Sequence, residues 1–159
     1  ALWDQNTYFS QQLCQWSLER EARFLYASSA AVYGDGSLGF SDADELTPKL
    51  KPLNAYGFSK WLFDMWVLEN KLADKVAGVR FFNVYGPKQR AEFVISSIVH
   101  AALHKKRISL RNPNSKRDFL FIDDLGQLGF QFLHIARQDI VGQAHPGARL
   151  INQVNSLVG

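Results

Sequence analysis

A chain of 159 residues with 47% hydrophobic and 13% aromatic content is long enough to bury a core of its own and lies far from the composition of disordered proteins. Its charge of +3, from 18 Lys and Arg against 15 Asp and Glu, is mild and suits an anionic small ligand as well as it suits nucleic acid. The lone cysteine, Cys14, excludes an intramolecular disulfide and fits a reducing, cytoplasmic compartment as a small buried hydrophobe. With no basic-then-apolar opening and no run near the roughly 18 apolar residues needed to cross a bilayer, a soluble protein is expected.

From Asn6 to about Arg20, Tyr8, Leu13, Trp16 and Leu18 recur at rough helical spacing. Phe24-Leu25-Tyr26-Ala27-Ser28 is a short apolar run ending in small residues, the pattern of a buried parallel strand whose carboxyl end opens onto a site. Residues 34–54, rich in Gly, Asp and Pro, read as a long polar loop. A strong helix follows from about Ala55 to Leu72, carrying Phe58, Leu62, Met65, Trp66 and Leu68.

Val76 to Tyr85 reads as one strand, stopped by Gly86-Pro87, and Ala91 to Lys105 as a helix. Two short strands are expected at Arg107 to Arg111 and Phe119 to Ile122, then a helix capped by Asp123 and running to about Arg137, then a last strand at Arg149 to Val154. Alternating strands and helices indicate an α/β domain with a parallel sheet.

Tyr56 and Lys60 stand at i and i+4 of the expected helix, so they share one face and one cation can act on one phenol. A tyrosine titrates near 10 and must fall to roughly 7 to act as a base, a change worth about 4 kcal/mol. A charge about 4 Å away, at an effective dielectric of about 20, supplies roughly that much. Alone, a Tyr-x-x-x-Lys pair is weak, since packed tyrosines beside exposed lysines are common on helices. Context strengthens it: Ser28-Ser29-Ala30-Ala31-Val32-Tyr33-Gly34 follows the strand and precedes the Tyr56 helix by one loop. A serine there either caps a turn or hydrogen-bonds the substrate oxygen that Tyr56 deprotonates.

These segments, together with Lys51-Pro52-Leu53-Asn54-Ala55-Tyr56-Gly57-Phe58-Ser59-Lys60, Arg80-Phe81-Phe82-Asn83-Val84-Tyr85-Gly86-Pro87, Lys116-Arg117-Asp118-Phe119 and Asp123-Asp124-Leu125, resemble the extended short-chain dehydrogenase/reductases of the NAD-dependent epimerase/dehydratase family. Within it the heptose epimerases look most similar, and the resemblance covers roughly residues 4–137. It implies a Rossmann-type parallel sheet flanked by helices. Residues 1–86 would be the C-terminal half of the NAD(P)-binding domain, and 87–159 part of a small substrate-binding region interleaved with the last Rossmann elements.

By that resemblance Ser29, Tyr56 and Lys60 are the catalytic triad. Asn6, Ala27, Ser28, Tyr56, Lys60 and Phe82 contact NAD or NADP, and Asn83 and Arg117 hold the substrate. A guanidinium fork suits a diphosphate. The implied partners are a nucleoside-diphosphate sugar and further copies of the same chain in a homo-oligomer, with no nucleic acid, membrane or metal. The implied reaction is transient oxidation and re-reduction of a sugar carbinol.

Two departures bear on that carry-over. The family's opening strand, glycine-rich dinucleotide loop and following acidic residue are absent here, and that loop cradles the cofactor pyrophosphate on a helix N-terminus. After Pro87 the heptose epimerases carry a longer loop with a second acid/base lysine, whereas this chain runs through Lys88-Gln89-Arg90 toward a helix. Ser29-Ala30-Ala31 stands where the dehydratases have Thr-Asp-Glu, which favours epimerisation or ketoreduction over loss of water. His100 and His104, at i and i+4, have metal-compatible spacing but no third ligand in view. A non-catalytic phosphate-binding module, using Lys105, Lys106, Arg107, Arg111, Lys116 and Arg117, is the alternative from another class.

Overall fold

A computed structural model describes residues 3–104, 106, 107, 109 and 118–127. The strand expected at Arg149 to Val154, the helix beyond 127, Arg117 and most of the Arg107 to Arg111 strand lie outside the described residues. The chain forms two compact units, one running through Phe81 and the other beginning at Phe82.

In the first unit the expected opening helix is two elements. A π-helical turn, Asp4–Tyr8, leads directly into α1, Phe9–Leu18. α1 stops at Leu18 because Glu21 adopts a left-handed backbone with φ 55°, which lets Ala22 N–H reach the Ser17 carbonyl and Glu21 N–H the Leu18 carbonyl, the paired closure of a Schellman end. β1, Phe24–Ser29, then pairs in parallel with β2, Val76–Phe81, from Phe24 opposite Val76 to Ser29 opposite Phe81.

Between these strands lies α2, Ala55–Glu69. It opens where Asn54 Oδ1 accepts the Gly57 N–H at 2.8 Å, an N-cap satisfying one orphan donor of the first turn. It closes three residues before the expected end by the same Schellman geometry: Lys71 has φ 55°, and the Leu72 N–H meets the Val67 carbonyl. α1 and α2 cover one face of the strand pair. Cys14, Phe63, Val67 and Val76 form the core there, packed by Leu18, Phe24, Tyr26, Trp66 and Leu72. β1 therefore has one covered face and one open face among the described residues, with Leu25 37% exposed, where a continuous apolar run had implied burial on both.

Residues 34–54 are less loop-like than their composition implies. A 3-10 turn, Ala30–Tyr33, precedes them and a second, Asp44–Lys49, lies inside them. Val32, Tyr33 and Leu50 make a second buried cluster with Ala30 and Trp61, and the Trp61 indole donates to the Thr47 carbonyl at 2.8 Å. The segment is held by packing that local turn chemistry does not reveal.

The strand expected from Val76 to Tyr85 is broken at Phe82. β2 ends at Phe81, and β3, Asn83–Tyr85, belongs to the second unit, where it pairs in parallel with β4, Phe119–Phe121. A strand lasts only as long as its ladder partner, and β1 ends at Ser29 where the chain turns into a 3-10 helix. The second unit also contains α3, Val94–Leu103, shorter at both ends than expected. Residues 122–127 are helical, so Asp123 sits inside that helix rather than capping it, since the ladder to β3 is already complete at Phe121.

Candidate active site

The carboxyl end of β1 and the first turns of α2 carry the residues singled out for chemistry. Ser29, the last residue of β1, keeps an extended backbone, and its Oγ accepts the Ala31 N–H at 3.2 Å. It caps the 3-10 turn, and because the hydroxyl accepts in that bond its own hydrogen is left for another oxygen. Tyr56, the second residue of α2, is 45% exposed. The amino end of α2 lies against the turn that Ser29 caps: a Cβ placed on Gly57 would come 2.6 Å from the Ala31 carbonyl oxygen. Only a glycine tolerates that approach.

Lys60, one helical turn beyond Tyr56, donates its ammonium to the Ala27 carbonyl at 2.8 Å and stands 6.0 Å from the Tyr56 ring centroid. Burial lowers its pKa from the ordinary lysine value, and the Asp64 carboxylate partly opposes the change. Ser59, fully buried between them, donates to the Tyr56 carbonyl at 2.7 Å and accepts the Asn6 side-chain amide at 3.1 Å. Asn6 lies in the π-helical turn, and its neighbour Thr7 donates to the Ser59 carbonyl at 3.2 Å. π-turns recur at functional sites because they re-aim side chains off the regular helix face.

The remaining expected residues fall as follows. Ser28 is turned inward, its hydroxyl on Asp64 Oδ2 at 3.0 Å, so only its backbone can meet a ligand. The Ala27 carbonyl is engaged by Lys60. Phe82, 38% exposed, opens the second unit, and there the Asn83 amide donates to the Asp118 carbonyl at 3.1 Å. Arg117 lies outside the described residues. His100 and His104 stack with ring centroids 4.2 Å apart, and among the described residues no group of three or more His, Cys, Asp or Glu could hold a metal ion.

A buried ionic network went unnoticed in the sequence. Arg80, the penultimate residue of β2, meets Asp64 through Nε at 3.1 Å and Nη2 at 3.1 Å. Tyr26 donates to Asp64 Oδ1 at 2.9 Å, and Arg80 also reaches Thr47 Oγ1 at 2.9 Å and the Tyr33 hydroxyl at 3.4 Å. Burial pushes the Asp64 carboxyl up from its ordinary value, with the Arg80 guanidinium and the hydroxyl donors pulling it back. Burial is the largest influence on Arg80 and acts to lower it, but the Asp64 carboxylate and the Tyr33 hydroxyl together outweigh it and leave the guanidinium above its ordinary value. The Tyr26 phenol is raised well above 10.0, by burial first and the facing carboxylate second. The available signal was an acid in the apolar stretch Leu62-Phe63-Asp64-Met65-Trp66 and a cation in Val76-Ala77-Gly78-Val79-Arg80-Phe81, since buried charges must be paired.

Comparison with known proteins bears on what this arrangement belongs to. The sequence profile described as "NAD dependent epimerase/dehydratase family" matches residues 1–141. The chain belongs to that family. A curated epimerase/dehydratase relative, the ADP-L-glycero-D-manno-heptose-6-epimerase of Nitratidesulfovibrio vulgaris (strain DP4), is 49% identical over 135 residues, covering 77% of this chain and 42% of the relative. Among solved structures, a dTDP-glucose 4,6-dehydratase of Bacillus anthracis str. Ames in complex with NAD is 27% identical with TM-score 0.70, over 85% of this chain and 44% of that one. The ADP-L-glycero-D-manno-heptose-6-epimerase of Helicobacter pylori is 29% identical with TM-score 0.67, over 81% of this chain and 42% of that one. The chain thus spans less than half the length of these relatives. Its α/β architecture with parallel strands and flanking helices is that of the Rossmann-type members of the epimerase/dehydratase family.

Proposed function

We propose that this chain forms part of an NAD-dependent nucleotide-sugar epimerase, with a carbinol of an ADP-linked heptose as the centre inverted. The observation that carries the reading is the Tyr56–Lys60 pair on α2, with the Lys60 ammonium locked on the Ala27 carbonyl beside an exposed phenol and Ser29 at the neighbouring strand end. The 49% identity to a heptose epimerase supports the substrate class, and the NAD held by the dehydratase neighbour supports the cofactor. Residues 1–86 are proposed as the C-terminal half of the cofactor domain, and 87–159 as part of the substrate-binding region.

The residues fit the nicotinamide-ribose half of such a cofactor: an ammonium and an exposed phenol stand at the carboxyl end of a parallel strand, the usual ligand edge of an open α/β sheet. Lys60 would hold the ribose and Tyr56 would face the ring. When bound, oxidised nicotinamide supplies the hydride acceptor.

Tyr56, as phenolate, takes the proton of the sugar hydroxyl while the Ser29 hydroxyl donates to the same oxygen, and the carbon becomes a ketone. Tyr56 returns the proton when the opposite face of that ketone is reduced, which inverts the centre. Lys60 Nζ stands 6.0 Å from the Tyr56 ring centroid, near enough for its charge to act on the phenol.

The test is turnover of ADP-heptose by the complete enzyme, with C6 epimers resolved by NMR and nicotinamide absorbance followed at the same time. Inversion with no net nicotinamide reduction, lost by more than about 100-fold in Tyr56→Phe, is expected. Undiminished turnover by Tyr56→Phe would sink the reading, and net consumption of reduced cofactor would make the enzyme a ketoreductase.

A further inference from the structure

The Asp64 and Arg80 side chains are 0% and 1% exposed, and among the described residues no buried side-chain nitrogen or oxygen lacks a hydrogen-bond partner. A buried ion pair of this kind seldom improves on well-packed apolar residues for stability alone. What it does supply is fixed directions. Tyr26 and Ser28 lie on the same face of β1, two residues apart, and both donate their hydroxyls to the Asp64 carboxylate, at 2.9 Å and 3.0 Å. The residue between them is Ala27, whose carbonyl receives the Lys60 ammonium at 2.8 Å. Lys60 precedes Asp64 by one turn of α2, so helix and strand are pinned together at two levels.

Arg80 carries the same constraint further. Its guanidinium reaches Tyr33, in the 3-10 turn that Ser29 caps, at 3.4 Å, and Thr47 at 2.9 Å. One charged pair thereby ties the carbonyl that seats Lys60 to the turn that seats Ser29.

We propose that Asp64, clamped by Arg80, is a positioning residue of the reaction: it aligns β1 so that the Ala27 carbonyl holds the Lys60 ammonium in place under Tyr56. The role rests on the reading of Tyr56 and Lys60 as catalytic, but the alignment itself is a structural property that can be read without turnover.

Two measurements on the complete protein test it together. In crystals of Asp64→Asn, the Lys60 to Ala27 contact is expected to open beyond about 3.5 Å, outside hydrogen-bond range. In turnover, Asp64→Asn is expected to lose about 30- to 100-fold in kcat with KM changed less than about threefold, the scale of a misplacement near 1 Å. The double variant Asp64→Leu/Arg80→Met removes both charges without leaving either one buried and unpaired; its kcat is expected to stay low, and it carries the same two measurements should Asp64→Asn not fold. An unmoved Lys60 contact overturns the proposal whatever reaction the enzyme proves to catalyse. Recovery of kcat together with thermal stability in the double variant overturns it too, because the pair would then be structural only. A displaced Lys60 in an enzyme that does not act on nucleotide sugars would leave the alignment standing and retire the functional reading.

Discussion

The Asn6 side-chain amide donates to the Ser59 hydroxyl at 3.1 Å, across 53 positions of the chain, and the same hydroxyl donates to the Tyr56 carbonyl at 2.7 Å. A residue of the π-helical turn thus acts on the one helical turn that separates Tyr56 from Lys60. Asn6 supports the candidate site through α2.

Ser59→Ala removes the acceptor that Asn6 uses and the hydroxyl bond to Tyr56. Losing buried hydrogen bonds of this type costs about 1 kcal/mol each. A melting temperature a few degrees lower is expected in the complete protein, with kcat reduced more than KM. A variant that melts and turns over like the parent would mean that the Asn6 contact positions nothing.

Gly57→Ala sets two effects against each other. In an exposed helix the change gains about 1 kcal/mol, but here the new Cβ would lie 2.6 Å from the Ala31 carbonyl oxygen and 3.1 Å from its carbon. Overpacking against backbone costs about 1–3 kcal/mol, so the clash should win. The variant is expected to melt lower and, because the first turn of α2 must move away from the Ser29-capped turn, to lose activity. A higher melting temperature would show that the approach is soft.

Lys60 has a folded pKa below its ordinary value, from burial with Asp64 in partial opposition. Between that lowered value and the ordinary one, the unfolded chain binds more protons at this site than the folded chain, so the stability attributable to Lys60 rises with pH across the window. Denaturant melts of the parent and of Lys60→Met at about pH 7.5 and 9.5 should therefore show the parent gaining on the variant at the higher pH. The opposite trend would place the ammonium in a site that favours its charge. Activity of Lys60→Met should be lost at both pH values.

Cys14 is wholly buried among Phe63, Val67 and Val76, and burial raises its thiol above the ordinary value. Both effects suppress the reactive thiolate. A thiol reagent should leave the folded protein unmodified at this position and label Cys14 once the chain is unfolded in guanidinium. Cys14→Ser places a hydroxyl in an apolar cluster and should cost about 1–3 kcal/mol, read as a lower melting temperature. Rapid labelling of the folded protein would show that α1 opens readily.

The local elements were legible where the residues themselves carry the reason. α2 begins at Ala55 as expected, where the Asn54 carboxamide oxygen needs only the amide three positions on, and Tyr56 and Lys60 share a face because of helical periodicity. Family membership was legible in the order of the motifs, and the profile match over residues 1–141 agrees. Boundaries set by distant partners were not. The break at Phe82 depends on β1 ending at Ser29 and β4 pairing with Asn83, and the packing of residues 34–54 depends on Trp61 and Arg80.

By itself, then, the sequence determined that a phenol and an ammonium stand one helical turn apart with a serine upstream, since spacing on a helix follows from 3.6 residues per turn. Only the tertiary structure decided what holds them: the Ala27 carbonyl on Lys60, Asn6 on Ser59, and Asp64 with Arg80 beneath β1. Hydrogen-bond partners 16 to 53 residues apart are chosen by how strands and helices pack, and no local pattern of side chains encodes that choice.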